Sequence, residues 1–147
     1  MRYRILGKTG LRPSVIGVGT WQFGGEWGRD FSQADADAIL DAAAECGINF
    51  IDTAECYGDH LSERLIGDYL SRRDRSRWLV ATKFGHHFNS FMNRDDDFSI
   101  AGVRQQLEAS LHALRVEAID LYQFHSGSDA LFQNQELWKL RSWISQY

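Results

Sequence analysis

Apolar and polar positions alternate along this chain in two rhythms. Short apolar runs of strand length are separated by longer stretches in which apolar residues recur at helical spacing. The opening RYRIL–GKTG–LRPSV, residues 2–15, reads as a hairpin around a glycine-flanked turn. VIGVGTW (15–21) is an apolar run with small residues, the pattern of a buried strand, and FGGEWGRD (23–30) follows as a glycine-rich loop. Ser32 is placed to cap QADADAILDAAAECG, and Gly47 to stop it. INFIDTA (48–54) is the second strand, and LSERLIGDYLSRR (61–73) the second helix, with Ser62 as its early cap. WLVATKFG (78–85) is the third strand, HHFNSFMNRDDDF (86–98) a polar loop, and Ser99 precedes the long helical pattern IAGVRQQLEASLHALRV. AIDLYQFHSG (118–127) is the fourth strand, and NQELWKLRSWISQY (134–147) reads as a fourth helix.

The order is therefore a hairpin and then strand–helix four times. Strands alternating with helices imply parallel βαβ units, and strands covered on both faces are apolar through their middles, as these are. Such strands place their C-terminal ends on one face, where α/β folds carry ligand sites. Here the ends carry chemistry: Asp52 closes the second strand, Lys83 the third and His125 the fourth, and Tyr57 follows the second by five residues. Each has an ordinary explanation of its own. Asp52 can cap a turn, Lys83 can snorkel from a strand end, Tyr57 can be a loop aromatic and His125 can bond backbone. Their convergence on one face favours a site in which Asp52 pairs with Lys83, and Lys83 lies beside Tyr57. A neighbouring cation lowers a phenol pKa from its usual value near 10 and readies it for proton transfer.

Composition narrows the classes. The chain has 147 residues, 44% hydrophobic and 24% charged, with a formal charge of -4. It is sized for a single domain with a real core. The mild negative charge gives no reason to expect nucleic acid or an anionic membrane as partner. RRDRSR (72–77) carries an interleaved acid and reads as a solvated helix end. Two cysteines, Cys46 and Cys56, have neither metal-ligand spacing nor the density of a disulfide scaffold, which points to a reduced, cytoplasmic setting. No apolar segment has the length of a signal peptide core or a membrane span. His86–His87 is the one tempting metal pair. Adjacent histidines do not share a face, and no acid or cysteine is spaced along the chain to join them, so no metal is expected. Asp95–Asp96–Asp97 reads as a solvated loop. Trp21, Trp27, Phe88 and Phe91 hint at an apolar pocket.

These motifs resemble the aldo-keto reductases. GINFIDTAECYGDHLSERLIG (47–67) looks like that family's signature, VATKFG like its lysine strand and DLYQFHSG like its histidine strand. The hairpin of residues 1–14 resembles the plug at the bottom of the family's barrel. The resemblance runs to about residue 138. It implies an α/β fold of the (β/α)8 TIM-barrel type, with βα units over about 15–147, and NADPH, less often NADH, as cofactor. The tetrad is then Asp52, Tyr57, Lys83 and His125. Tyr57 is the general acid toward a small carbonyl substrate, Lys83 is held by Asp52, and His125 orients the carbonyl. Gly19, Thr20, Trp21 and Asp52 lie near the cofactor.

A (β/α)8 barrel needs roughly 200 residues or more, so this sequence supplies four of eight units. The residues with which the family grips most of its dinucleotide belong to the other half. Half a barrel exposes two strand edges, through which two copies could pair as a homodimer or the chain could persist as a non-catalytic half-barrel. The alternative fold is a flavodoxin-like open sheet. It needs a phosphate-cradling glycine loop running directly into a helix, and GTWQFGG does not run directly into one.

Overall fold

Four of the apolar runs line up as one parallel sheet in the computed structural model, which describes residues 1–140. In chain order the elements are β1 Val18–Gly19, a 3-10 turn at Trp21–Gly24, α1 Gln33–Glu45, β2 Phe50–Asp52, α2 Leu61–Leu70 and β3 Leu79–Phe84. There follow β4 His86–Ser90, β5 Asn93–Asp96, α3 Ile100–Leu114, β6 Leu121–Phe124, α4 Asp129–Phe132 and α5 Gln135–Lys139. The sheet runs β1-β2-β3-β6 with every pair parallel. Spatial order follows chain order with no reversal. That is the winding of a barrel wall; a doubly wound open sheet reverses at a switch point.

Caps and stops explain two of the three long helices. Ser32 accepts from the Asp35 N–H while the Asp35 carboxylate accepts from the Ser32 N–H, a complete capping box at the head of α1. Gly47, at φ +77°, turns the chain out of α1 in a conformation that favours glycine. Ser99 accepts from the Gly102 N–H and opens α3. The helix α2 departs from expectation. Its N-cap is His60 in a left-handed conformation, with no side-chain cap, and Ser62 lies fully buried one residue inside the helix. Ser62 is turned inward to bond Thr20 and Thr53, so it ties the helix to two strand ends instead of capping it.

The core fills the space between sheet and helices. Leu40, Ile51, Ile66, Tyr69, Trp78, Val80 and Leu114 form its larger part. Phe84, Val103, Leu137 and Leu140 form a second cluster with Phe98, Tyr122 and Phe124 against it. The opening hairpin is present but slight: one bridge, Tyr3 to Ser14, with the Leu6 N–H donating to Leu11 O. It is anchored at the N-terminal end of β2, where Asn49 Oδ1 accepts from the Ser14 N–H at 2.7 Å and Tyr3 donates to Gly47 O. It therefore closes the end of the sheet opposite Asp52.

Two further expectations change. Residues 86–98, read as a polar loop, contain the antiparallel hairpin β4–β5, with Met92 at positive φ in its tip. The expected helix over 134–147 is seen as α5, and residues 141–147 lie outside the described residues. No described helix is long and apolar enough to cross a membrane.

Candidate active site

Register places the site. Asp52 ends β2 opposite Ala81, whereas β3 continues to Phe84, so Lys83 stands two residues beyond the partner of Asp52 on the neighbouring strand. Beyond β6, His125 donates its N–H to Phe84 O at 2.9 Å, which extends the ladder by one residue. Thr53 continues from β2 by donating to Ala81 O. The chain then folds over a tight turn, Tyr57 N–H to Ala54 O, and presents Tyr57 at the mouth. Gly58, at φ +64°, makes that turn fit. A Cβ there would lie 2.4 Å from Gly24 O, so the turn and the 3-10 segment meet backbone to backbone.

The four expected residues are together. Lys83 Nζ lies 2.6 Å from Asp52 Oδ1, 2.8 Å from Thr53 O and 3.5 Å from Tyr57 OH. The Tyr57 and His125 rings meet edge to face at 5.4 Å between centroids. Tyr57 does not titrate as the neighbouring cation alone implies. Burial pushes its pKa up, and Lys83 pulls it down without overcoming that push. The phenol is therefore protonated near neutral pH, with a proton to give.

The expected cofactor rim divides. Gly19 faces open space where a Cβ would stand, and Asp52 keeps 38% of its side chain exposed. Trp21 is exposed and stacks on Tyr57 at 6.2 Å, with Trp27 edge-on to it at 4.8 Å. Thr20 differs from them in burial. It is fully buried, its N–H and hydroxyl both donate to Asp52 O, and its carbonyl accepts from Ser62. These bonds make it a brace under the site. Of the other aromatics, Phe91 is exposed at the hairpin tip. Phe88 lines a cavity of about 160 Å³ with His60, His86 and Gln106.

Several residues that pack around these four do not stand out in the sequence pattern. Glu26 accepts from Trp21 Nε1 at 2.6 Å and pairs with Arg94, whose guanidinium also donates to Cys56 O at 3.0 Å. Arg94 thus clamps hairpin β4–β5 onto the Tyr57 turn. Glu55 is buried, and His86 Nδ1 and His125 Nδ1 lie 3.4 and 3.6 Å from its oxygens. Burial works to raise the Glu55 pKa, but the two imidazoles outweigh it and hold the carboxyl at about 2. Cys56 is buried beside His125, Sγ to Nδ1 3.3 Å, and burial together with the Glu55 charge pushes its thiol up to about 12. The adjacent acid and cysteine of AECYG were the available signal. Nothing in linear spacing joins them to histidines 31 and 69 residues away.

The model of the aldo/keto reductase family matches residues 15–138. L-galactose dehydrogenase of Arabidopsis thaliana is 37% identical over 124 residues, covering 83% of this chain and 37% of that protein. The aldo-keto reductase AKR11C1 of Bacillus halodurans, solved in its holo form, superposes with a TM-score of 0.82 at 30% identity, over 98% of this chain and 48% of that one. An aldo-keto reductase of Klebsiella pneumoniae solved in complex with NADPH gives a TM-score of 0.65 at 26% identity, over 90% of this chain and 43% of that one. The chain thus spans less than half the length of each of these proteins.

Proposed function

The chain belongs to the aldo/keto reductase family, and on that premise we propose that it carries the catalytic half of a reductase that turns aldehydes or ketones into alcohols with a nicotinamide dinucleotide, NADPH being favoured. The observation that carries the proposal is the Lys83 ammonium, held 2.6 Å from Asp52 and 3.5 Å from the Tyr57 hydroxyl at a mouth open to solvent.

The residues at hand fit part of such a cofactor. Gly19 leaves open space beside the exposed edge of Asp52, and Trp21 offers an apolar face next to Tyr57. These three would hold its reactive end. When bound, a nicotinamide supplies the hydride that goes to the carbonyl carbon. The remaining work belongs to the chain. Tyr57 Oη gives its proton to the carbonyl oxygen as negative charge develops there, so hydride and proton together make the alcohol. The Lys83 cation stabilises the phenolate left on Tyr57, and Asp52 with Thr53 O fixes Lys83 in place. His125, edge-on to Tyr57, positions the same oxygen from the other side.

Titration of the 147-residue chain with NADPH, followed by tryptophan fluorescence, tests the reading because Trp21 sits on Tyr57. Saturable quenching followed by aldehyde-dependent consumption of NADPH is expected. Absence of both leaves a half-barrel that carries the tetrad without using it.

A further inference from the structure

Beneath Tyr57 four potential ligands converge, and the proposed reduction accounts for only one of them. Glu55, Cys56, His86 and His125 each point one donor atom into the same small volume, and all four atoms lie within 4.8 Å of one another. Cys56 Sγ lies 3.3 Å from His125 Nδ1, and the two imidazoles approach different oxygens of Glu55, His86 Nδ1 to Oε1 at 3.4 Å and His125 Nδ1 to Oε2 at 3.6 Å. With bonds of about 2.0–2.3 Å, the edges of a tetrahedral zinc centre fall at roughly 3.3–3.8 Å; these three contacts lie in that range, and the set, which spreads over up to 4.8 Å, would draw in around an ion. Longer-range order supports the spacing, since the four residues come from the turn after β2, the head of β4 and the end of β6.

Two of the donor atoms make no hydrogen bond and have only longer contacts within the cluster, His86 Nδ1 at 3.4 Å from Glu55 Oε1 and Glu55 Oε2 at 3.6 Å from His125 Nδ1. Glu55 is 3% exposed, and its Oε2 has no hydrogen bond. Its other oxygen accepts the His86 backbone N–H at 3.1 Å. His86 Nδ1 is likewise buried and unbonded, while its Nε2 is held by Ser126 Oγ at 3.3 Å. A buried carboxylate is costly unless positive charge or good hydrogen bonds answer it, and the two imidazoles stand at 3.4 and 3.6 Å, longer than good hydrogen bonds. Ser126 on the far nitrogen is the kind of outer partner that fixes a ligating imidazole.

We propose that these four side chains form a binding site for one divalent cation of the zinc class. One thiolate, two imidazole nitrogens and one carboxylate oxygen make a mixed set that suits a borderline-soft ion and disfavours magnesium or calcium. The charges balance: carboxylate and thiolate against a dication leave a neutral buried centre, with the thiol proton released to solvent. An ion on His125 Nδ1 also confines the remaining ring proton to Nε2, which fixes the tautomer of a residue at the reaction site.

Cobalt(II) is the probe. Added to the chelator-treated chain, it should bind one ion per chain with a thiolate-to-cobalt charge-transfer band and intense visible bands of tetrahedral type, both removed by zinc. Cys46→Ala should change neither. Cys56→Ala should abolish the charge-transfer band, and Glu55→Gln and His86→Ala should each weaken cobalt at least about 10-fold. His86 is the most accessible ligand after His125, so His86→Ala decides the matter if Cys56→Ala does not fold. No charge-transfer band, a band that survives Cys56→Ala, or unchanged affinity in His86→Ala overturns the site. The readout is independent of catalysis: cobalt binding without reduction counts against the enzyme reading alone, and reduction without cobalt binding against the site alone.

Discussion

At the residue scale the centre of the account is Lys83. Three oxygens surround its ammonium, and the proposed reduction uses one of them, Tyr57 Oη. Lys83→Met removes the cation that stabilises the phenolate and leaves Asp52 unpaired. The expected result is a loss of roughly 100-fold in kcat for carbonyl reduction with a much smaller change in KM, measured by steady-state kinetics in saturating NADPH. Equal losses in both would make Lys83 a binding residue. The convergence of Asp52, Tyr57, Lys83 and His125 was legible from the sequence because each ends or follows a strand, and strand ends are where periodicity breaks. Glu55 and His86 were not legible. Their approach is made where the turn after β2 meets the head of β4, and a pattern read along the chain carries no information about that. The burial of Thr20 was not legible for a related reason: a hydroxyl at a strand end looks exposed until packing covers it.

At the element scale the helices respond to small changes. The capping box of α1 is exposed, and Ser32→Ala should cost about 1 kcal/mol in urea denaturation. The Asp35 carboxyl is held below its usual range, first by the Ser32 hydroxyl and then by the Ser32 N–H. A carboxyl lowered in the folded state stabilises above its ordinary value of 3.8 and loses that contribution as pH falls through its depressed one. The cost of Ser32→Ala should therefore shrink below about pH 4, and a pH-independent cost would count against the box. Gly67 tests packing in α2. An alanine normally helps a helix, but a Cβ at Gly67 would lie 2.3 Å from Ala113 O on α3. Gly67→Ala should destabilise by about 1–3 kcal/mol, read from the denaturation midpoint. The helices and inner strands were legible because their two periods differ. Hairpin β4–β5 was not, since HHFNS and NRDD are polar and mostly exposed and show no buried face to alternate with. Its role, seating Arg94 on the Tyr57 turn, emerges only in three dimensions.

At the scale of the whole molecule, β1 and β6 each pair on one side only among the described residues. Expressed as these 147 residues, the chain should self-associate through those edges, and sedimentation showing a monodisperse, folded monomer would count against this. The fold class was legible because strand–helix alternation leaves few topologies, and the unreversed sheet order then separates a barrel wall from an open sheet. Pairing between chains was not legible, because an edge states an opportunity and names no partner. The measurement that bears most directly on the central claim is aldehyde reduction by Tyr57→Phe beside the unaltered chain, both saturated with NADPH. The account predicts binding unchanged and the rate lower by roughly 10²–10⁴-fold. A Tyr57→Phe chain that reduces aldehydes as fast as the original would contradict it.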